Sequence, residues 1–175
     1  ALMKAKELVE NENVDALIGC TSTSIGKAIS NYAKQQEIPL VIAIACGETL
    51  TGENCNKFTF RTISHTYQNM KPQVEFAMEN LGTKFATMGA DYSYGRESVN
   101  AFVEQAEAMG GEVVEQVWPK LGTTDFSTYI QKIASSEADF LVNRLTGTGA
   151  HKAAKQINSF GLDDQMDVMT NIQHT

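Results

Sequence analysis

Apolar positions along the chain alternate between two spacings. Apolar residues three and four positions apart, the spacing of an amphipathic helix, recur over residues 25–33, 67–81, 99–106 and 126–133. Between these segments lie short runs with the composition of buried strands, at Ala16–Ile18, Pro39–Ala45, Phe85–Met88, Val113–Trp118, Asp139–Asn143 and Asp167–Thr170. Residues 1–10 also have the pattern of a helix. The alternation predicts an α/β fold.

The strands from Phe85 onward follow one another at a regular interval. They begin near positions 85, 113, 139 and 167, which gives strand-helix units of 28, 26 and 28 residues. A series of right-handed βαβ crossovers at this interval produces a parallel sheet with helices on its faces. We therefore predict parallel sheets flanked by helices.

The stretch from Thr49 to Thr66 interrupts this order. It is polar and rich in Gly and Asn, apart from a brief extended segment at Phe58–Thr62. We interpret it as a boundary, with residues 1–62 forming part of a first lobe and residues 63–175 most of a second. An extended crossover near Phe60–Ser64 would join them. The alternative is one continuous sheet with a long loop.

Composition excludes several classes of function. The chain has 42% hydrophobic residues and a net charge of −7, from 21 acidic and 14 basic residues. Nucleic-acid binding needs clustered Lys and Arg, and no basic run is present. The longest apolar stretch, Ile38–Ala45, contains Pro39 and is far shorter than the roughly 20 residues of a membrane-spanning helix. We expect no direct membrane insertion and no nucleic-acid partner.

Three cysteines allow one internal disulfide at most. Cys46 with Cys55 is the favoured pairing, since it closes a short polar loop, and three free thiols that behave as small hydrophobes are the alternative.

Three polar loops follow predicted strands and precede predicted helices. They are Cys20-Thr-Ser-Thr-Ser24, Ala90-Asp-Tyr-Ser-Tyr94 and Leu145-Thr-Gly-Thr148. Each places hydroxyl groups and backbone N–H groups at a helix N-terminus, where they cap the helix or accept a carboxylate. Four consecutive hydroxyl residues, Thr21 to Ser24, exceed what a cap requires. Asp91 either caps the following helix or faces a ligand.

Enzyme fingerprints are incomplete. A P-loop around Gly26-Lys27 would need Gly at position 21 and Ser or Thr at position 28, which are Thr21 and Ala28. A dinucleotide fingerprint at Gly147-Thr-Gly149 would need Gly at position 152, which is Lys152. The histidines match no zinc spacing, and no G-x-S-x-G elbow is present. We expect no enzyme activity, no metal and no cofactor.

The order of motifs resembles one family. The segment Asp91-Tyr-Ser-Tyr-Gly95 is followed by Phe102, Gly110-Gly111 and Trp118-Pro119, and then by Leu121-Gly-Thr-Thr-Asp-Phe-Ser127. With Val14–Gly19 before the hydroxyl loop and Phe58–Thr62 as an interlobe crossing, this order is similar to that of the type I periplasmic binding proteins. These serve ABC importers of branched-chain amino acids and related molecules. The resemblance implies the two-lobed fold of that family, here incomplete at both ends.

The resemblance also implies a binding site, in the cleft between the two lobes. Ser22, Thr23 and Ser24 would hold the ligand's carboxylate or an equivalent polar head, and backbone groups of Ile44, Ala45 and Cys46 would lie beside them. Tyr94 would place its ring on the ligand from the second lobe, and Thr146 would make a polar contact. Asp91 would receive an ammonium group if it does not cap the helix, because the family's usual acid is absent after Asp167.

The function implied is that of a periplasmic or extracellular solute-binding component, with or without a lipid anchor. It would bind an amino acid, amide, urea or aromatic acid and deliver it to the membrane permease subunits of an ABC importer. Two alternatives stay open at this point. One is a ligand-sensing receptor or regulator domain of the same fold, and the other is a nucleotide-dependent α/β enzyme.

Overall fold

The computed structural model of the protein describes residues 1–170, and it divides into two compact units. Unit 1 is Ala1–Gln68 and unit 2 is Asn69–Thr175. The sequence placed the boundary after residue 62. In the structure the division falls six residues later, just inside the helix Thr66–Asn80.

Unit 1 is built on a small parallel sheet. Its elements are α1 (Leu2–Glu10), β1 (Leu17–Gly19), α2 (Thr23–Gln36), β2 (Leu40–Ile42), a 3-10 turn at Glu48–Leu50 and β3 (Thr59–Arg61). The strand order is β1-β2-β3, with β2 parallel to both neighbours. The extended segment predicted at Phe58–Thr62 is therefore a strand of this sheet.

The two faces of the unit 1 sheet differ in burial. Leu17, Leu40 and Thr59 stand in register on one face and are all buried. They pack beneath α2, whose buried residues include Ile29 and Ala33. The next set of paired residues, Ile18, Val41 and Phe60, lies on the opposite face of the sheet. On that face Ile18 is 78% exposed and Phe60 is 53% exposed. Side chains alternate between the faces of a strand, so the apolar run of each strand supplies both faces.

Unit 2 is a larger parallel sheet with a helix after each of its first three strands. Its elements are α3 (Thr66–Asn80), β4 (Lys84–Gly89), α4 (Ser93–Ala108), β5 (Glu112–Val117), α5 (Ser127–Ala134), β6 (Phe140–Arg144), α6 (Gly147–Ser159) and β7 (Asp167–Thr170). The strand order is β5-β4-β6-β7, and all pairs are parallel. The prediction of an α/β fold with parallel sheets is confirmed.

The core of unit 2 lies on both faces of its sheet. On one face Phe85, Phe102 and Phe140 form an aromatic cluster, with ring centroids 5.4 Å apart for Phe85 and Phe102 and 5.6 Å for Phe85 and Phe140. On the other face Met88 and Leu141 pack with residues of α5 and α6. Helices therefore cover both faces, as the βαβ series requires.

Two strand boundaries differ from those predicted in a way that affects the site. The apolar run Pro39–Ala45 gives a strand only at Leu40–Ile42, because β1 and β3 each offer three residues for pairing. Beyond it the chain leaves the sheet, and Ile44 is 56% exposed. The last strand before α6 was predicted to end at Asn143, but β6 also includes Arg144, which is buried.

The favoured cysteine pairing is wrong. Within the described residues none of Cys20, Cys46 and Cys55 forms a disulfide. Cys55 is exposed, whereas burial raises the pKa of the half-buried Cys20 thiol. The short polar loop between Cys46 and Cys55 was therefore not sufficient evidence for a disulfide.

Candidate functional site

In unit 1 the structure brings together the two loops that the sequence singled out. The amide of Ala43 donates to the carbonyl of Gly19 at 3.1 Å, and that of Ala45 donates to the carbonyl of Cys20 at 3.0 Å. These bonds join the loop after β1 to the loop after β2. Residues 22–24 and 44–46 therefore lie at the same end of the sheet, beyond the carboxyl ends of neighbouring strands.

The N-terminus of α2 has no side-chain cap. Ser22 occupies the N-cap position, but its hydroxyl lies 3.0 Å from the hydroxyl of Ser24 and bonds no helix amide. The first helical bond is from the Gly26 amide to the Ser22 carbonyl, at 2.8 Å. Within the described residues, the amides of residues 23–25 have no hydrogen-bond partner. The end of the helix therefore offers hydroxyls and N–H groups that favour a negatively charged or carbonyl group.

Thr23 differs from its two neighbours in burial. It is 1% exposed, and its hydroxyl oxygen makes no hydrogen bond in the part of the chain that the structure describes. Buried hydroxyl groups are usually hydrogen-bonded, because leaving one unsatisfied costs about 1–3 kcal/mol. Ser22 is half-buried and Ser24 is exposed.

Backbone groups of the loop after β2 are hydrogen-bonded to neighbouring segments. The Ala45 amide donates to the Cys20 carbonyl, and the Cys46 carbonyl accepts both the amide and the hydroxyl of Thr66, each at 2.8 Å. Ala45 is 1% exposed. In this loop Ile44 presents the exposed side chain, so the loop adds an apolar surface next to the hydroxyls.

In unit 2 the loops after β4 and β6 meet through two hydroxyl groups. The hydroxyl of Tyr92 lies 3.2 Å from that of Thr146, which is the N-cap residue of α6. The ring of Tyr94 lies 6.2 Å from that of Tyr92, between centroids, and both side chains are half-buried. The structure therefore places Tyr94 and Thr146 at one end of the sheet. Sequence reasoning missed Tyr92, which connects them.

Asp91 does not cap α4. Its carboxylate accepts hydrogen bonds from Nε and Nη2 of Arg96, at 3.0 and 2.8 Å, and the N-cap residue is Tyr92. The guanidinium of Arg96 also lies over the ring of Trp118, 3.9 Å from its centroid. The capping alternative is thus wrong, and the carboxylate is already paired with a cation.

Gly95 permits a close approach between the helix and the loop before it. A Cβ atom built on Gly95 would lie 2.9 Å from both the amide nitrogen and the carbonyl carbon of Ala90, and closer still to its carbonyl oxygen. Its φ angle is not in the left-handed region. The glycine is therefore needed for space and not for a turn conformation.

Arg144 is a buried cation behind the Tyr94 loop. It is 1% exposed, its Nη2 donates to the amide oxygen of Gln73 at 2.8 Å, and its guanidinium lies 5.9 Å from the Phe102 ring centroid. Burial lowers the pKa of Arg144 to about 10, and the electrostatic influence of Tyr94 opposes this shift. The side chain is still protonated at neutral pH. The sequence signal that could have revealed this buried cation is an arginine directly after the predicted strand that ends at Asn143.

The histidines and the metal-ligating residue types form no site in the described part of the chain. Residues 1–170 contain no group of three or more His, Cys, Asp or Glu side chains placed to hold a metal ion. His65 pairs with Glu48 through Nδ1 if it is protonated, whereas in the neutral ring with an unprotonated Nδ1 this nitrogen can accept the Gln68 amide at 3.4 Å. His151 is exposed, and His174 lies outside the described residues. No helix within residues 1–170 has the length and apolar character needed to cross a membrane.

Comparison with known proteins gives a consistent result. The family model described as periplasmic binding protein matches residues 1–173. A Leu/Ile/Val-binding protein homologue of Brucella suis is 32% identical over 153 residues, which cover 85% of this chain and 39% of the relative.

Solved structures show the same similarity. The solute-binding protein of an ABC transporter from R. palustris, in complex with 4-hydroxybenzoate, matches with a TM-score of 0.90 and 29% identity, over 97% of this chain and 46% of that one. A branched-chain amino acid ABC transporter periplasmic ligand-binding protein from Burkholderia xenovorans matches with a TM-score of 0.83 and 25% identity, over 99% and 46%. The chain thus spans less than half the length of these relatives.

Proposed function

The chain belongs to the periplasmic binding protein family, and from this premise we propose that it is part of an extracytoplasmic solute-binding component of an ABC importer. It binds a small polar solute without chemical conversion and presents it to membrane permease subunits. The location is periplasmic or extracellular, with or without a lipid anchor. The proposal rests on family membership together with the geometry of the strand ends.

The observation that carries the binding proposal is the uncapped N-terminus of α2. Ser22 and Ser24 direct their hydroxyls to each other and leave the first-turn amides unused. An N-terminal helix end binds anions through these amides and the helix dipole. We assign Ser22, Thr23 and Ser24 to the polar head of the solute, with the Ile44–Cys46 loop beside them.

Unit 2 supplies the contacts to the rest of the solute in this proposal. Tyr94 lays its ring on the solute, and Thr146 contributes a hydroxyl that is already oriented by Tyr92. Asp91 contributes to this site as the partner of Arg96, which bonds one of its carboxylate oxygens. An aromatic face next to a few fixed polar groups is the usual composition of a small-molecule site.

The solute class is inferred from the charges of this chain. A buried ammonium group needs an oppositely charged partner, and the charge of Asp91 is already compensated by Arg96. Solved relatives are in complex with 4-hydroxybenzoate and with 3,4-dihydroxybenzoic acid, whereas other relatives are named for branched-chain amino acids, so the relatives are compatible with either class. We therefore favour an aromatic or branched carboxylate or its amide over an α-amino acid.

Binding is tested with the full-length protein and a panel of leucine, valine, benzamide, urea, benzoate and hydroxybenzoates. A solute that binds only the native state raises the melting temperature, by an amount that grows with its concentration relative to Kd. Calorimetry then measures the affinity of the best solute. A panel in which only nucleotides, added as a counter-screen, shift the melting temperature would contradict the proposal.

The site is tested by the double variant Ser22→Ala/Ser24→Ala. A lost hydrogen bond to a charged group costs about 1.5–3 kcal/mol, so we expect a loss of affinity of tenfold or more. Ser159→Ala is the matched control, because Ser159 is an exposed serine of α6 whose hydroxyl donates to the Lys155 carbonyl of its own helix. Equal affinities for both variants would remove the hydroxyl loop from the site.

Delivery is tested separately from binding. The permease encoded with the full-length protein, reconstituted in vesicles, should hydrolyse ATP faster when the solute-loaded protein is added. A protein that binds its solute tightly but leaves ATP hydrolysis and uptake unchanged would instead be a sensor.

A further inference from the structure

Unit 2 contains a depression of which the assignments above use only Thr146. Three loops line it, those that follow β4, β5 and β6, and its wall includes Lys120, Thr123, Thr146, Thr148 and Lys152. Phe126 and Leu145, both buried, contribute its apolar part. Because Thr146 belongs to the wall, the depression is next to the surface assigned to the solute.

The volume of the depression fits part of a solute. It measures about 110 Å³. A water molecule occupies about 30 Å³ of liquid, and whole pockets for small molecules usually measure about 300–1,000 Å³. A carboxylate or another small head group fits in this volume.

The charge of the wall is positive and uncompensated. Lys120 and Lys152 are exposed, and within residues 1–170 neither ammonium group forms a hydrogen bond or ion pair. In the same unit Lys84 and Lys132 are paired with Glu137 and Glu115. The wall of the depression contains no Asp or Glu, although the chain has 21 acidic residues and a net charge of −7.

The acids closest to this wall in sequence are engaged elsewhere. Asp125 accepts the amide of Ser127 at 2.9 Å, and the two hydrogen bonds from Ser127 lower the pKa of its carboxyl. Asp91 is held by Arg96. Asp125 keeps its negative charge and the Asp91–Arg96 pair has no net charge, so among these residues the two lysines and the buried Arg144 outnumber the one uncompensated carboxylate.

The two lysines are held on a braced framework. Gln156 lies one helical turn after Lys152 on α6, so both side chains leave the same face of the helix. The Gln156 amide group accepts the N–H of Phe126 at 2.7 Å and donates to the carbonyl of Thr124 at 2.9 Å. These bonds fix the loop that carries Lys120 against the helix that carries Lys152. Bracing the backbone that carries the two lysines lowers the entropy lost when both bind one anion.

We propose that this depression is an anion subsite, in which Lys120 and Lys152 receive a carboxylate of the solute and make the protein selective for anionic over neutral solutes. The inference rests on the proposed function and narrows its solute class.

The test compares acids with their neutral amides of equal shape. Benzoate with benzamide, and isovalerate with isovaleramide, are titrated into the full-length protein, the double variant Lys120→Gln/Lys152→Gln and the control Lys155→Gln. Lys155 is an exposed, unpaired lysine of α6 outside the depression. Thermal unfolding of each variant verifies that the fold is retained.

We expect the natural protein and the control to bind the acid of at least one pair tenfold or more tightly than its amide. The double variant should lose most of this selectivity and keep only what the N-terminus of α2 provides, and added salt should weaken binding of the acid only. Unchanged selectivity in the double variant overturns the subsite, as does a preference for the amides.

The same titrations distinguish failure of the anion subsite from failure of the proposed solute-binding function. If leucine, valine or urea binds and the double variant binds it equally well, the solute-binding function stands and the anion subsite is wrong. If no solute of the combined panel binds, the solute-binding function itself fails, and the subsite fails with it.

Discussion

Substitution of Gly95 by alanine should destabilise unit 2, because the added methyl group has no space. Its carbon would lie 2.9 Å from two backbone atoms of Ala90 and nearer still to a third. Backbone atoms cannot change rotamer, so the first turn of α4 or the loop must move. Overpacking costs about 1–3 kcal/mol when side chains can adjust, and we expect about 3 kcal/mol here. Movement of the loop would also disturb the two backbone hydrogen bonds that anchor it. These run from the Asp91 amide to the Pro119 carbonyl and from the Tyr92 amide to the Ala90 carbonyl, both at 2.8 Å.

Denaturant unfolding of the full-length protein, followed by circular dichroism, measures this cost as a lower midpoint for unit 2. The matched control is Gly149→Ala, since a Cβ built on Gly149 meets no atom within 4 Å. Alanine is favoured over glycine in helices by up to about 1 kcal/mol, so the control should be neutral or slightly stabilising. Equal stability of the Gly95→Ala variant and the natural protein would refute the steric explanation.

Three further changes test neighbouring residues. Tyr94→Ala should weaken binding of the best solute about tenfold, whereas Tyr94→Phe should retain most of it, because the proposed contact is the ring face; calorimetry separates the two. Asp91→Asn and Arg96→Gln should have equal effects on affinity if the pair only positions the loop, and an effect confined to Asp91→Asn would instead mark a ligand contact. Asp125→Asn should reduce the melting temperature at neutral pH. The lowered pKa of Asp125 means that its contribution is complete above its ordinary value of 3.8 and disappears as pH falls through the lowered one. The difference in melting temperature should therefore shrink as the pH is lowered below 3.8, and a constant difference would contradict this linkage.

The architecture was predictable because it depends on spacing. The interval between strands in unit 2 required parallel crossovers, and the structure has β4, β6 and β7 in parallel register. Strand ends were less predictable, since a strand stops where its partners stop. The run Pro39–Ala45 is uniformly apolar, yet β2 ends at Ile42 with the three-residue strands beside it.

The loops around the site were located from sequence, but their internal contacts were not. A strand followed by hydroxyl residues identified both Ser22–Ser24 and Thr146. The partner of Asp91 lies five residues away, a separation that has no fixed meaning outside a regular helix, so neither the pairing with Arg96 nor the loss of the cap could be inferred. Lys120 and Lys152 are 32 positions apart, and their proximity depends on Gln156 bridging the loop and the helix.

The positions of the charges bear on the type of solute more strongly than the sequence of the hydroxyl loop does. Hydroxyls and helix amides accept a carboxylate, an amide or a phenol, so unit 1 alone discriminates little among polar heads. In unit 2 the described cations at the strand ends include a buried arginine and two exposed lysines, and Asp91 is held 2.8 Å from Arg96. Both hydrogen bonds from Arg96 go to Oδ1 of Asp91, so an ammonium group would have to share a carboxylate whose charge is already compensated. A carboxylate without an ammonium group makes no demand on Asp91, which is why the charges favour it.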